Sequence, residues 1–172
     1  MTGAARPRIS RAAAANLALS MLIRAMTVED CNALAALRED PHLALDPRVE
    51  LDNPLTRAWV ATAVADAPPL GYALGWWVID ELQLLALAVL PEARRRGVGR
   101  RLLEHVLETS CASGGQRVIL EVARGNTPAR ELYEGAGFRV FNVRPRYYPT
   151  SGDDALEMER SCHAGAAPGT RD

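Results

Sequence analysis

The sequence predicts a single α/β domain built around a sheet of mixed parallel and antiparallel strands. Three observations lead to this prediction. The chain has 172 residues, which is about the length of one domain. Hydrophobic residues make up 48% of it and charged residues 24%, as in a globular protein rather than a collagenous or disordered one. Apolar runs alternate with amphipathic segments, and two adjacent runs within residues 70–90 have the pattern of an antiparallel hairpin.

The first half of the chain predicts a β-α unit and then an irregular connection. Leu22–Ala25 has the pattern of a short strand, and Thr27 stands at the place of a helix N-cap, with Asp30 three residues later. Prolines within residues 43–56 indicate a loop or a broken helical connection. Residues 59–64 fit either a strand or a helix.

The second half predicts a hairpin followed by two helices and three further strands. The hairpin joins residues 70–79 to 82–90 across the turn at Asp80 and Glu81. An amphipathic helix follows, with its apolar residues on one face and its charged residues on the other. This helix is predicted at 98–111. It is followed by a strand at 118–123, a helix capped by Thr127 and stopped by Gly137, and strands at 138–143 and 155–159.

The two ends of the chain are expected to lie outside the folded domain. We expect that domain at residues 21–160, an extension or disordered segment at 1–20 and a flexible tail at 161–172. The start has features of a signal peptide, but no small-residue cleavage site follows, and Met21 is an alternative start. Apolar runs elsewhere are shorter than the roughly 20 residues that span a bilayer, so we expect a cytoplasmic protein with no membrane partner.

The charged and sulfur-containing residues exclude several classes of chemistry. All 20 basic residues are arginine, so a lysine Schiff base and a Walker-type phosphate lysine are excluded. The net charge is −1, without the basic excess that direct nucleic-acid binding needs. The three histidines and three cysteines are dispersed, so we expect no metal site. Cys31, Cys111 and Cys162 are expected to be small buried apolar side chains.

The segment that follows the apolar run 84–89 has the features of an anion site. A strand that enters a glycine-containing turn and then opens a helix directs backbone N–H groups and the positive end of the helix dipole to one point. Gly97 and Gly99 allow close approach of the backbone, and arginines surround them. The Rossmann pattern G-x-G-x-x-G is absent. Taken alone, the turn fits equally well a solvated basic loop before an ordinary helix.

Further motifs in the same order give the turn a more specific meaning. Arg94, Gly97 and Gly99 match the pattern Gln/Arg-x-x-Gly-x-Gly/Ala, and the chain here resembles the GNAT superfamily of acetyl-CoA-dependent N-acetyltransferases. The second half is similar in particular to its RimI-like branch, the bacterial ribosomal-protein-alanine N-acetyltransferases. The other motifs that carry the resemblance are Leu120-Glu121-Val122, Asn126, Ala129, Leu132-Tyr133-Glu134, Gly137-Phe138, Arg146-Tyr147-Tyr148-Pro149, Asp153, Asp154 and Met158.

The resemblance implies a GNAT-like fold, with a mostly antiparallel sheet, a central splayed pair of parallel strands and flanking helices. It also implies acetyl-CoA as co-substrate, with the pantetheine arm along one strand, the diphosphate in the turn and the thioester near the following helix. The residues implied to bind the cofactor are Leu87, Ala88, Val89, Arg94, Arg95, Arg96, Gly97, Val98, Gly99, Arg100, Asn126, Ala129 and Tyr133.

Two side chains are candidates for proton transfer. The strand period of two places Glu121 between Ile119 and Ala123 on one face of an apolar strand, where loss of water favours a carboxylate that accepts a proton. Together with the resemblance, this predicts a general base that acts directly or through a water. The alternative is an exposed strand residue, or one paired to an arginine such as Arg139. The resemblance makes Tyr133 the general acid toward the thiolate, and the alternative is a core aromatic.

The acceptor side of the site is predicted from the end of the chain. Tyr147 and Tyr148 are expected to wall a groove for a peptide N-terminus, and Asp153 and Asp154 to attract a basic segment such as a ribosomal protein carries. The alternative is an ordinary hairpin with an acidic turn. Two other functions stay open, namely acetylation of a small-molecule amine and non-catalytic binding of an acyl-CoA.

Overall fold

The computed structural model describes residues 21–37 and 45–163 of the chain. The predicted extension at 1–20, the residues from 164 onward in the predicted tail and the start of the predicted connection at residues 43 and 44 lie outside the described residues. The described chain forms the strands β1 Leu22–Ala25, β2 Thr56–Thr62, β3 Pro69–Val78, β4 Glu81–Val89, β5 Arg117–Ala123, β6 Arg139–Tyr148 and β7 Asp153–Ser161, and the helices α1 Asp30–Ala33, α2 Pro47–Glu50, α3 Val98–Ala112 and α4 Thr127–Gly135.

The seven strands form one mixed sheet in the order β1-β2-β3-β4-β5-β7-β6. Every neighbouring pair is antiparallel except β4 and β5 at the centre, which are parallel. A parallel connection needs a crossover, and α3 supplies it. The predicted α/β fold class is therefore confirmed, as is the predicted hairpin of β3 and β4.

The two central strands separate part of the way along their length. β4 and β5 pair only between Glu81–Leu84 and Arg117–Leu120, although both strands continue. Opposite β3 the register shifts beside Leu84, so that Leu85 is an extra residue in β4 and the strand bends there. We call residues 81–84 and 117–120 the paired end, and residues 85–89 and 121–123 the splayed end. The splay predicted from the family resemblance is confirmed.

The hydrophobic core lies between this sheet and the helix α3. The apolar residues predicted to share one face of α3 are all buried, and Leu102 and Val106 have no exposed surface. Val118, Leu120 and Val122 of β5 are buried as well. Each such side chain contributes roughly 1.5–3 kcal/mol through its removal from water. Packing of α3 on the sheet thus holds the turn that precedes the helix at a set place beside β4.

Several local predictions need correction, because side chains close the helix ends differently. α4 is capped by Asn126, whose Oδ1 accepts from Ala129 N at 3.3 Å, and not by Thr127. Thr27 does not cap α1; its backbone N–H donates to Asp30 Oδ2 at 2.9 Å. Residues 59–64, which fitted strand or helix, belong to β2 as far as Thr62.

The cysteine prediction is wrong for two of the three residues. Cys111 and Cys162 form a disulfide that links the last turn of α3 to the end of β7, across 51 residues of sequence. Cys31 is buried and lies outside this disulfide, as predicted. Because β7 extends through Ser161 and Cys162 is covalently tied, the folded domain reaches at least two residues beyond the predicted boundary. Spacing alone could not predict this bridge, since the two cysteines meet only through the sheet order.

None of the helices within residues 21–37 and 45–163 combines the length and apolarity that crossing a bilayer requires.

Candidate active site

A cavity of about 860 Å³ opens at the splayed end of the sheet. Beyond Leu84 no strand lies beside the edge of β4 that faces β5. β3 does not fill this place, since it pairs with the opposite edge of β4. All the predicted site residues except Arg96 and Tyr147 line this space. They are Leu87, Ala88, Val89, Arg94, Arg95, Gly97, Val98, Gly99, Arg100, Glu121, Asn126, Ala129, Tyr133 and Tyr148.

The turn before α3 presents open backbone N–H groups to the cavity. Gly97 is the N-cap residue of α3 and has a φ of 84°, and no side chain caps the helix. Arg95 also adopts a positive φ, of 63°. The first four N–H groups of a helix have no partner within it, so here they remain available to an anion, together with the positive end of the dipole. This geometry suits a diphosphate.

Gly99 supplies an independent test of whether the cavity fits a ligand. A Cβ added at Gly99 would contact only the side-chain methyl groups of Leu132 and Val89, at 3.5 and 3.6 Å. These are ordinary van der Waals distances, so neither packing nor a positive φ requires glycine at this position. Because Gly99 lines the cavity, a Cβ there would take up space beside the helix N-terminus. The small residue therefore fits a bound group that lies against the backbone.

The arginines of the turn are divided between the cavity and its surroundings. Arg94, Arg95 and Arg100 line the cavity, whereas Arg96 does not. Arg94 Nε donates to the carbonyl of Val89 at 3.1 Å and so connects the turn to the end of β4. Permanently charged guanidinium groups thus stand beside the open N–H groups. Arg96 is thus the one residue of the predicted binding turn that lies outside the cavity wall, because a turn directs its side chains in several directions.

Glu121 lies at the splayed end of β5, in a different environment from the predicted one. Its side chain is 38% exposed, and its Oε1 accepts from Arg144 Nη1 at 2.8 Å. The expected burial is therefore wrong, because the splay removes the neighbouring strand on the β4 side. An arginine partner was the alternative, but it is Arg144, while Arg139 pairs with Glu159. Glu121 nevertheless lines the cavity.

Tyr133 faces the same cavity from α4. It is 7% exposed and its ring lies 5.8 Å from that of Phe138, so packing holds it in place. Burial raises the pKa of its hydroxyl to about 12, with a further contribution from the neighbouring Tyr148. The phenol is therefore protonated at neutral pH and can donate a proton or a hydrogen bond. Tyr133 is both packed against another ring and part of the cavity wall. The two predicted alternatives, a general acid and a core aromatic residue, therefore do not exclude each other.

The two tyrosines at the end of β6 take different positions. Tyr148 is half-buried in the cavity wall, and burial followed by the charge of Glu121 raises the pKa of its hydroxyl. Tyr147 is outside the cavity, 39% exposed, with the Arg144 guanidinium 3.9 Å above its ring. The prediction that both rings line one groove therefore needs correction for Tyr147. The two residues are adjacent in β6, and successive side chains of a strand point to opposite faces.

The acidic pair after this strand has structural partners. Asp153 Oδ2 accepts from the backbone of Gly125 at 2.7 Å, and Asp154 forms an ion pair with Arg124 at 3.1 Å. Both carboxylates thus connect β7 to the loop between β5 and α4. The prediction that they attract a basic acceptor is weakened, since these contacts engage their charge. Within residues 21–37 and 45–163 no three His, Cys, Asp or Glu side chains are grouped to hold a metal ion.

Comparison with known proteins agrees with the fold. The Acetyltransferase (GNAT) family matches residues 23–138, which cover the sheet from β1 to β5 and both helices of the cavity. The chain therefore belongs to the GNAT acetyltransferase family. The resemblance found in the motifs of the second half is confirmed.

Two individual relatives are similar to the chain in sequence. The chain is 40% identical over 96 residues to [Ribosomal protein bS18]-alanine N-acetyltransferase of Salmonella typhimurium, which covers 55% of this chain and 65% of that protein. It is 42% identical over 95 residues to N-alpha-acetyltransferase RimI of Mycobacterium tuberculosis, covering 53% of this chain and 58% of the relative. The matches thus span somewhat less than two thirds of these relatives.

A solved structure extends the likeness over most of the chain. The crystal structure of the ribosomal-protein-S18-alanine N-acetyltransferase from Escherichia coli superposes with a TM-score of 0.73 at 27% identity. The superposition covers 88% of this chain and 99% of that one. The likeness in fold therefore extends beyond the share of the chain that these relatives match in sequence.

Proposed function

We propose that this protein transfers an acetyl group from acetyl-CoA to the α-amine of a protein N-terminus, and that the acceptor is the N-terminal alanine of a ribosomal protein. The observation that carries the proposal is one cavity that joins an anion-binding helix start to a carboxylate and a buried phenol. The names of the relatives over the matched half of the chain support this choice of acceptor.

The wall formed by β4 and α3 suits acetyl-CoA as the co-substrate. The turn from Arg94 to Arg100 binds the diphosphate through its open N–H groups and guanidinium charges. The unpaired backbone edge of residues 87–89 binds the pantetheine amides as a further strand would. Acetyl-CoA supplies an activated acetyl group as a thioester. A backbone N–H of residues 87–89 also stabilises the negative charge that develops on the acetyl oxygen during attack.

Glu121 acts as the general base for the incoming amine. A free α-amino group has a pKa of about 7.7–8.0, so a large part of it is protonated near neutral pH and cannot attack. The carboxylate of Glu121 faces the cavity with over a third of its surface exposed, which leaves room for an amine or for one bridging water. Loss of this proton makes the amine nucleophilic.

Tyr133 provides the proton for the departing sulfur. Its pKa of about 12 keeps the hydroxyl protonated until it is needed, and its packing against Phe138 keeps it aimed at the cavity. Tyr148 lines the cavity between the two and contacts the first residue of the acceptor. The N-cap Asn126 and the following Ala129 border the same space and hold the start of α4 beside the thioester.

The decisive experiment compares acceptors. Purified protein is incubated with acetyl-CoA and either peptides that differ in their first residue or small amines, including a polyamine and free alanine. We expect mass spectrometry to show acetylation of the peptides, with alanine at the first position preferred. Acetylation of the small amines alone would replace this function with the second one left open by the sequence. Thermal stabilisation by acetyl-CoA without release of CoA would indicate a binding module.

A further inference from the structure

The guanidinium of Arg144 is held on three sides next to the proposed base. Its Nη1 lies 2.8 Å from Glu121 Oε1 and 3.7 Å from Glu157 Oε1. The ring of Tyr147 covers one face, at 3.9 Å from the guanidinium carbon to the ring centroid. A planar cation that is stacked on a ring and paired with two carboxylates has few orientations available.

The backbone of β6 brings these groups together. Arg144 pairs with Ala155 of β7, and the next regular pair is Tyr148 with Asp153, so the strand is irregular between them. Arg146 has a φ of 52° there, and its N–H donates to Asp154 Oδ1 at 2.9 Å. Regular alternation would place Tyr147 on the face opposite Arg144. The irregularity instead allows Tyr147 to contact the guanidinium while Tyr148 enters the cavity.

The contact with Arg144 restricts the carboxylate of Glu121, which otherwise has many orientations available. Glu121 is at the splayed end, where β4 no longer lies beside it, and its side chain is 38% exposed. A long side chain in such a place samples several rotamers and loses entropy when it is ordered. Arg144 Nη1 donates to Oε1, and Oε2 accepts no hydrogen bond from the described residues. The pair therefore orients one carboxylate oxygen and leaves the other for the acceptor.

We infer that Arg144 is a positioning residue for acetyl transfer, which holds the carboxylate of Glu121 in the orientation that the incoming amine requires. This inference depends on the proposed function, because it assigns Arg144 a role toward the proposed base. The charged and titratable groups around Glu121 are Arg144 and Tyr148 of β6, Glu157 of β7 and Tyr133 of α4. Arg144 is the cation among them.

The same strand offers a matched control. Arg139 forms an ion pair with Glu159 at 3.1 Å, it is exposed like Arg144, and neither arginine lines the cavity. Ion pairs as exposed as these contribute little to stability, so replacing either arginine should leave the fold intact. Arg144→Met and Arg139→Met thus remove the same charge from the same strand, and only the first removes it from Glu121.

The kinetic experiment measures kcat and KM for formation of the acetylated peptide. For Arg144→Met we expect kcat to fall by about 10- to 100-fold, as a misplaced catalytic group does. The KM for acetyl-CoA should stay unchanged, because Arg144 does not line the cavity. Arg144→Lys should restore only part of kcat, since lysine has the charge but lacks the planar fork. Arg139→Met should match the unmodified protein.

A measurement without turnover separates this inference from the proposed function. The carboxyl ¹³C signal of Glu121, assigned from its loss in Glu121→Gln, is recorded by NMR at one pH in each protein. Its chemical shift should change in Arg144→Met, which loses the hydrogen bond to Oε1, and stay in place in Arg139→Met. An unchanged chemical shift, or an Arg144→Met enzyme with unchanged kcat, overturns the role of Arg144 and leaves the proposed function intact. An inactive unmodified protein overturns the proposed function, and the positioning role falls with it.

Discussion

The two ends of the central strand pair differ in how they are held together. At the paired end, Glu81 and Glu159 both bind Arg117, each at 2.9 Å, and the disulfide of Cys111 and Cys162 joins α3 to β7 close by. At the splayed end the same two strands leave a cavity of about 860 Å³ between them. The sheet thus carries its cross-links at one end and its open backbone groups at the other.

This difference shows how one sheet accommodates two opposed requirements. A binding cavity needs unpaired backbone and separated strands, both of which weaken a sheet. Cross-links at the paired end offset that loss without entering the cavity. Substitutions at the splayed end should therefore alter catalysis and binding but leave stability nearly unchanged, and substitutions at the paired end should do the reverse.

The largest effect is expected at the splayed end from the groups proposed to move protons. Glu121→Gln and Tyr133→Phe should each lower kcat by about 10²–10⁴-fold, the usual contribution of general acid–base catalysis. Both changes preserve shape, so calorimetry should find unchanged acetyl-CoA binding, and the unfolding midpoint should stay close to that of the unmodified protein. Turnover near the unmodified rate in either variant would remove that residue from the mechanism.

At the paired end the largest effect should come from the disulfide. Cys162→Ser should lower the free energy of unfolding by about 2–4 kcal/mol, because the bridge restricts the unfolded chain across its 51-residue span. Urea unfolding followed by circular dichroism measures this change, while acetyl-CoA affinity should not move. A reducing agent should destabilise the unmodified protein equally and have no effect on Cys162→Ser. Equal stability of the oxidised and reduced protein would show that the ion pairs hold this end alone.

The smallest effect is expected at the splayed end from one added methyl group at Gly99. Gly99→Ala should weaken acetyl-CoA binding by roughly 10- to 100-fold, as an overpacked contact of about 1–3 kcal/mol would do. The fold has room for this Cβ, so stability should be unchanged or slightly higher. Gly135→Ala is the control, because a Cβ there meets nothing within 4 Å and the residue is outside the cavity. Equal acetyl-CoA affinities of Gly99→Ala and Gly135→Ala would show that Gly99 does not contact the diphosphate.

Local patterns in the sequence were sufficient for most of the elements. The apolar stripe of α3 and the hairpin of β3 and β4 depend on contacts between near neighbours in the chain, so their periodicity predicts them. The pairing of Arg144 with Glu121 depends on how β6 aligns with β7, and β7 with β5. A register of this kind is set by the irregular residues near Arg146, for which the sequence has no simple signal.

By itself the sequence determined the α/β class, the glycine turn that opens α3 and the presence of a carboxylate and a tyrosine in the motifs of an acetyltransferase. Only the tertiary structure decided that Glu121 is exposed beside Arg144, that Tyr147 covers the Arg144 guanidinium, and that Cys111 meets Cys162. The physical reason is the distance along the chain over which each effect acts. Residue type and spacing act over a few positions, whereas strand order, bulges and splay bring together side chains that are distant in sequence.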